Sequence, residues 1–326
     1  MSGSVYIRSS FTDALLGVNI PLKKSTIFRR MLHELGIIVM PGAYDALSAK
    51  IIELVGFKAI QHTGYGTAAS LLGIPDIGLV SLKEMVDRVK SIAGAVNIPV
   101  IGDADTGYGN PINVYRTVKE YIWAGAAGLF IEDQVWPKRC GHMFGKLVID
   151  REEMVGKIMA AVDAKKELDP DFVIGARTDA IAVAGIDEAI ERAEAYRKAG
   201  ADFIFIEAFE NIDQMKRAVK EVKAPLMLNL IEGGRTPLVS VKEAEKMGFK
   251  IVVFPLTTLY AATKAMIDVL TILKKEGSAQ PYLDRLVTFQ EFAKIVEIQK
   301  FREMEERYIP EKILEHMYGE GPRRIV

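Results

Sequence analysis

Eight short, nearly unbroken apolar runs recur along the chain: IIVMPG (37–42), KAIQHT (58–63), IPVIGDAD (98–105), GLFIEDQ (128–134), FVIGARTD (172–179), DFIFIEA (202–208), APLMLNL (224–230) and KIVVFP (250–255). Each gives way to polar residues and then to apolar positions spaced by three and four. The amphipathic stretches between them include LKEMVDRVKSIAGA (82–95), INVYRTVKEYIWAGA (112–126) and DEAIERAEAYRKAG (187–200). Continuous apolar strands alternating with helices predict parallel strands buried on both faces. Eight such units in about 230 residues predict a closed (β/α)₈ barrel of α/β class. The competitor is an open doubly wound sheet, but no GxGxxG follows the first strand.

The barrel is expected over about residues 37–276, inside a single domain of residues 1–326. Ahead of it, TIFRRMLHELG predicts a helix that caps the barrel floor. Behind it lies a helical extension, 281–326, in which FQEFAKIVEIQKFREMEERY predicts one long amphipathic helix. That helix either crosses its own barrel or is exchanged with a neighbouring subunit; the pattern alone favours the first.

Composition narrows the class. With 326 residues, 49% of them hydrophobic and 26% charged, the chain can bury a large core. A net charge of −1 leaves no footprint for nucleic acid. No apolar run is long enough to span a membrane. The N-terminus lacks the basic-then-apolar order of a signal peptide. The lone cysteine, Cys140, has no intrachain partner, so a cytoplasmic location is expected.

A barrel's chemistry lies at the C-terminal ends of its strands. Those ends carry Tyr44 and Asp45; His62, Thr63, Gly64 and Tyr65; Asp103 and Asp105; Glu132 and Asp133; Arg177 and Asp179; Glu207; and Asn229 and Glu232. A single polar residue there is usually a helix cap or turn former. Carboxylates on so many ends point instead to a metal. Asp103 and Asp105, two apart, are expected on one side of their strand, and with Glu132 they offer hard oxygen ligands suited to Mg²⁺. A calcium loop fails on spacing, because Tyr108 and Val114 stand where Gly and Glu are required. Asn110-Pro111 already supplies the cap of the next helix, which weakens the turn-former reading. A Schiff-base lysine is missing from every strand end. The four histidines lack zinc spacing, and there is no GxSxG.

Cys140 stands in EDQVWPKRCGHMFGK (132–146), among basic residues and glycines. A free cysteine is most often inert core. This setting predicts an exposed, mobile loop over the strand-four end, with Lys138, Arg139 and His142 lowering the thiol pKa. A bound dianion would raise it again, leaving both acid and nucleophile as possible roles.

DADTGYGN (103–110), EDQVWPKRCGH (132–142), ARTDA (176–180) and GIPDIGL (73–79) together resemble the isocitrate lyase/phosphoenolpyruvate mutase superfamily over roughly residues 25–295. The closest resemblance is to its methylisocitrate lyase and dimethylmalate lyase branch. The resemblance implies a (β/α)₈ barrel whose last helix is swapped between subunits, a homotetramer built as a dimer of dimers, and Mg²⁺ in the site. It implies that Thr63, Gly64 and Tyr65 hold a substrate carboxylate through backbone N–H groups. Asp103 and Asp105 would anchor Mg²⁺, with Glu132 in the same network. Asp76, Gly141, His142, Glu207 and Asn229 would line the pocket, Arg177 would pair with a carboxylate, and Cys140 would ride a gating loop.

The K-R-C-G-H element resembles the carbon–carbon lyases rather than the phosphonate-forming mutases. The implied reaction is retro-aldol cleavage of a 2-hydroxy dicarboxylate, with Tyr44 or a metal-network carboxylate as base and Cys140 as proton donor. Tyr260 and Phe289 stand where methylisocitrate lyases resembling this chain carry arginines for an extra carboxylate. That departure favours a 2,3-dimethylmalate type of substrate over methylisocitrate. The alternatives are a phosphoenolpyruvate or carboxyphosphonoenolpyruvate mutase, an oxaloacetate-cleaving hydrolase, and a non-catalytic barrel.

Overall fold

The computed structural model describes residues 22–319. The signal-peptide reading of the N-terminus and the final residues of the extension fall largely or wholly outside them. Eight parallel strands close into one barrel in sequence order: β1 (Ile38–Ala43), β2 (Ile60–His62), β3 (Val100–Asp103), β4 (Gly128–Glu132), β5 (Val173–Thr178), β6 (Phe203–Ile206), β7 (Leu226–Asn229) and β8 (Ile251–Phe254). Closure is made by β1 against β8, with Ile38 opposite Ile251. Every strand lies within an apolar run read from the sequence, save that β1 extends one residue beyond its run, to Ala43.

Strand alternation sorts the apolar side chains into two cores. On β4, Phe130 points into the barrel while Leu129 and Ile131 point out to the helices. Phe203 and Phe205 fill the interior from β6, and Ile204 and Ile206 pack outside. Gly175 on β5 makes room for that filling, since a Cβ there would lie 2.2 Å from the Phe203 ring. The floor is closed by helix α1 (Lys24–His33), whose Phe28 and Leu32 join the interior cluster, as the sequence predicts.

The outer helices begin with α2 (Ala46–Val55) and the single turn α3 (Gly64–Thr67), and continue with α4 (Leu82–Ala95), α5 (Pro111–Trp123), α6 (Arg151–Leu168) and α7 (Ile181–Lys198). They end with α8 (Ile212–Glu221), α9 (Val241–Met247) and α10 (Thr257–Glu276). Asn110 caps α5 through the amides of Ile112 and Asn113, with Pro111 in the first turn, as expected. Helix α10 differs from the others: it is 20 residues long and buries none of them.

The long C-terminal helix is not formed. A 3₁₀ turn (Gln280–Arg285) precedes three short helices, α11 (Phe289–Ile295), α12 (Ile298–Tyr308) and α13 (Glu311–Tyr318). Glu297 adopts a left-handed φ of 57° and interrupts the spacing, and Pro310 ends the next segment. The helical period was real, but backbone breaks override it.

Candidate active site

At the C-terminal mouth of the barrel, the strand ends surround a cavity of about 30 Å³. On β2 the side chains alternate: Gln61 and Thr63 face the cavity, whereas His62 turns outward to Thr67 Oγ1 at 2.9 Å. Burial pushes the His62 imidazole down to about 3, so it is a neutral structural group.

Asp103 ends β3, and Asp105 meets it through a turn rather than by strand alternation. Asp105 has φ 46°, and its amide donates to Asp103 Oδ1 at 3.0 Å. The other Asp103 oxygen accepts from the Gly64 amide at 3.2 Å, while the Thr63 amide donates to Ala43 O at 3.1 Å. Of the three amides expected to cradle a carboxylate at 63–65, those of Thr63 and Gly64 hydrogen-bond within the protein. Burial raises both aspartates, Asp105 to about 6, against the opposing charge of Lys138.

Arg177 is the hub of the mouth. Its Nε lies 2.8 Å from Asp179 Oδ2 and 3.1 Å from Glu132 Oε2. Its Nη2 reaches Asp179 Oδ1 at 3.1 Å and Glu207 Oε2 at 3.3 Å, and the guanidinium covers the Phe205 ring at 5.0 Å. Burial works against its charge, but Asp179, Glu132 and Glu207 outweigh burial and hold it firmly protonated. The carboxylates divide in response. Burial drives Glu132 well above the usual range despite Arg177, whereas in Glu207 Arg177 and His142 overcome burial and keep the group ionised.

Residues 134–148 form a flap over this mouth. Its base is a short antiparallel bridge, Gln134 to Val148, extended by Val135 N–H to Leu147 O at 2.8 Å. The Gln134 amide brackets Arg139, accepting from its N–H at 3.0 Å and donating to its carbonyl at 2.8 Å. Lys138 plunges inward, 2.6 Å from Asp76 Oδ1 and 2.7 Å from Asp105 Oδ1. Next to it the Cys140 amide donates to Asp76 O at 3.0 Å. Gly141 passes so close to the hub that a Cβ would lie 2.3 Å from Arg177 Nη2. His142 Nε2 lies 3.2 Å from Glu207 Oε1. Lys146 binds Asp179 Oδ1 at 2.7 Å and also donates to Gly141 O.

Two expectations about Cys140 are overturned. The residue is half-buried rather than loosely exposed, and its thiol lines the cavity. Burial pushes the thiol up to about 11 instead of down. The sequence neighbours do not supply the expected positive field, because Lys138 is consumed by Asp76 and Asp105, and Arg139 faces outward.

Of the remaining strand-end residues, Tyr65 and Asn229 line the cavity, and Asn229 donates to Glu207 Oε2 at 3.1 Å. Tyr44 does not line it, and burial, reinforced by Asp45, raises its phenol, which disfavours a tyrosinate base. Asp45 is the cap of α2 through Ser48, the ordinary reading for a lone strand-end carboxylate. Asp133 is also structural: it accepts from the Asp179 amide at 3.0 Å and the Tyr196 hydroxyl at 2.8 Å. Tyr260 is partly exposed, and burial followed by Tyr65 pushes its phenol up to about 12. Phe289 is 70% exposed on α11 and does not line this cavity.

Sequence reasoning missed Gln61, whose strand parity with Thr63 was the available signal, and Lys146, which carried none. It also left unassigned the apolar wall made by Ile231 and Leu256.

The donor set fits a hard divalent cation. Among the described residues no three His, Cys, Asp or Glu side chains converge into a complete chelate. Asp103 and Asp105 are nevertheless joined and buried, and the Glu132 amide is tied to Asp105 O at 2.8 Å. Glu132 Oε1 is buried without a hydrogen-bond partner. One or two carboxylates completed by water is the usual coordination of Mg²⁺.

Residues 28–274 match the family described as phosphoenolpyruvate phosphomutase. A 2,3-dimethylmalate lyase of Eubacterium barkeri is 49% identical over 86% of this chain and 96% of its own length. A chloroplastic carboxyvinyl-carboxyphosphonate phosphorylmutase of Arabidopsis thaliana is 48% identical over 89% of this chain and 86% of its own. A 2-methylisocitrate lyase of Aeropyrum pernix is 43% identical over 85% and 88%. Among solved structures, an oxaloacetate acetylhydrolase with 3,3-difluorooxalacetate superposes with a TM-score of 0.84 at 40% identity, covering 88% of this chain and 97% of that one. A phosphonopyruvate hydrolase complexed with oxalate and Mg²⁺ superposes at 0.80 with 31% identity, covering 89% and 100%. With this coverage and identity, the chain belongs to the phosphoenolpyruvate mutase/isocitrate lyase superfamily.

Proposed function

We propose that this chain is a Mg²⁺-dependent carbon–carbon lyase that cleaves a 2-hydroxy dicarboxylate of the 2,3-dimethylmalate type into a 2-oxo acid, such as pyruvate, and a second carboxylate. The observation that carries this reading is the lone cysteine, Cys140, lining the same small cavity as Arg177, Asp103 and Glu207, where burial pushes its thiol up to about 11. When bound at Asp103 and Asp105, with Glu132 in the same network, Mg²⁺ supplies positive charge to the oxygen that becomes the new carbonyl.

A carboxylate takes the proton from the C2 hydroxyl. A metal-network carboxylate in its ionised form suits this role better than the Tyr44 phenol, which does not line the cavity and which burial raises. As C2–O becomes C=O, the C2–C3 bond breaks and its electron pair spreads into the enediolate of the departing carboxylate. Arg177, held in orientation by Asp179, faces that developing charge. Cys140 then gives its proton to C3, and the thiolate is re-protonated from the base. A pKa of about 11 keeps the donor loaded at neutral pH. The closed cavity holds roughly one water, so the 134–148 flap must open to admit substrate and then shield the carbanion.

Among the described residues, Arg177 is the only Lys or Arg that lines the closed cavity, and neither Tyr260 nor Phe289 adds a cation, which favours a dicarboxylate over methylisocitrate, whose third carboxylate would be left unpaired. Purified enzyme with Mg²⁺ and a panel of alkylmalates, methylisocitrate and oxaloacetate, assayed for 2-oxo acid, tests this. Much faster turnover of methylisocitrate would sink the substrate reading. The likeness to oxaloacetate acetylhydrolase favours a second reading, hydrolysis of oxaloacetate, which the same panel detects as oxalate. A ³¹P NMR assay tests the mutase alternative.

A homotetramer with an exchanged C-terminal helix fits the same chain, the exchange falling at α10 rather than in 281–326, where it was expected. Met266, Ile267, Leu270 and Leu273 are exposed on a helix that buries nothing of its own. Light scattering that finds only monomers would end this part of the proposal. No helix among the described residues is long and apolar enough to cross a membrane. A single unpaired cysteine is consistent with a cytoplasmic location.

A further inference from the structure

The turn after β7 has no part in the reaction as drawn, yet it touches the flap at three points. Arg235 donates its backbone N–H to His142 Nδ1 at 2.8 Å. Gly234 lies flat against the same ring, where a Cβ would come 2.6 Å from Nδ1 and 2.8 Å from Cε1. The Arg235 guanidinium covers the Phe144 ring at 4.4 Å, although Phe144 is otherwise 80% exposed. The turn itself is fixed by Gly234 N–H to Ile231 O at 2.9 Å.

We propose that residues 231–236 are the strip that receives the closing flap, and that Gly234 and Arg235 are positioning residues acting through His142 and Phe144. This rests on reading 134–148 as the lid of the proposed lyase site. The contacts have distinct tasks. Because Nδ1 accepts from Arg235, the His142 ring proton resides on Nε2, which lies 3.2 Å from Glu207 Oε1 without meeting hydrogen-bond geometry. The strip therefore selects the tautomer whose N–H faces the Glu207 side of the ring while the lid is shut. The Arg235–Phe144 stack lies on the outer side of the same segment and holds its tip down. Gly234 permits the approach, and any side chain there would push the imidazole off its partner.

The sole cysteine provides the readout, since Cys140 lines the covered cavity and its alkylation by iodoacetamide in the full-length enzyme reports lid opening without substrate. Arg235→Ala and Phe144→Ala should each raise the alkylation rate by about fivefold, with unchanged thermal melts. The double variant should add little beyond either one, because both remove the same contact. Gly234→Ala should raise the rate by more than about tenfold and lower kcat more than it changes KM. Arg235→Lys should restore part of the protection. Rates for Arg235→Ala and Phe144→Ala within about twofold of wild type, or fully additive effects in the double variant, would overturn the proposal. Lack of turnover by the wild type on every substrate would sink the lyase reading and leave the alkylation result to decide the latch separately.

Discussion

The two ends of the same eight strands obey opposite rules. At the floor, Phe28 and Leu32 of α1 meet Ile38, Phe203 and Ile251 in an apolar cluster, and charges stay at its rim, where Arg29 and Lys165 pair with Asp202. At the mouth, Asp76, Asp103, Asp105, Glu132, Asp179 and Glu207 are buried around Lys138, Lys146 and Arg177. The floor gains stability from area removed from water. The mouth gives some of that up, because each buried charge loses hydration and recovers it only through paired geometry. The barrel thus separates what holds it together from what it does, along one strand length.

Arg177→Gln should break that separation most severely, since this side chain belongs to both ledgers. Glu132, Asp179 and Glu207 would lose their shared cation, lowering stability by about 3–5 kcal/mol in urea unfolding and abolishing 2-oxo acid release. Cys140→Ser should touch the mouth alone, with kcat down about 10²–10⁴-fold and an unchanged unfolding midpoint. Phe28→Ala should touch the floor alone. It should lose about 3–5 kcal/mol, while the folded fraction keeps the wild-type kcat. The gentlest test is pH. With the thiol at about 11, thiolate is scarce at neutrality, so alkylation of the folded enzyme should rise about tenfold per pH unit from 7 toward 10. A plateau near pH 8 would show that the mouth does not bury its thiol.

The barrel was legible because its strands are apolar on both faces; Asp103, Glu132 and Arg177 stood out because chemistry collects at strand ends, and Cys140 because it is the lone cysteine of a basic loop. What could not be read was which neighbour each charge chooses. Lys138 and Cys140 are two apart in sequence, yet the lysine turns down onto Asp76 and Asp105 and leaves the thiol to desolvation. His62 stood in the strand-end list and Gln61 did not, although parity on a three-residue strand exchanges their roles. The extension shows the same limit: periodicity found its helices, but a left-handed Glu297 divided them.

Gln134 carries one further consequence. Its carboxamide grips residue 139 only by main-chain N–H and C=O. A grip of that kind is blind to the side chain it holds. Arg139→Ala should therefore leave both of these hydrogen bonds, and with them the base of the flap, in place. Proline there is barred, having no amide hydrogen to offer.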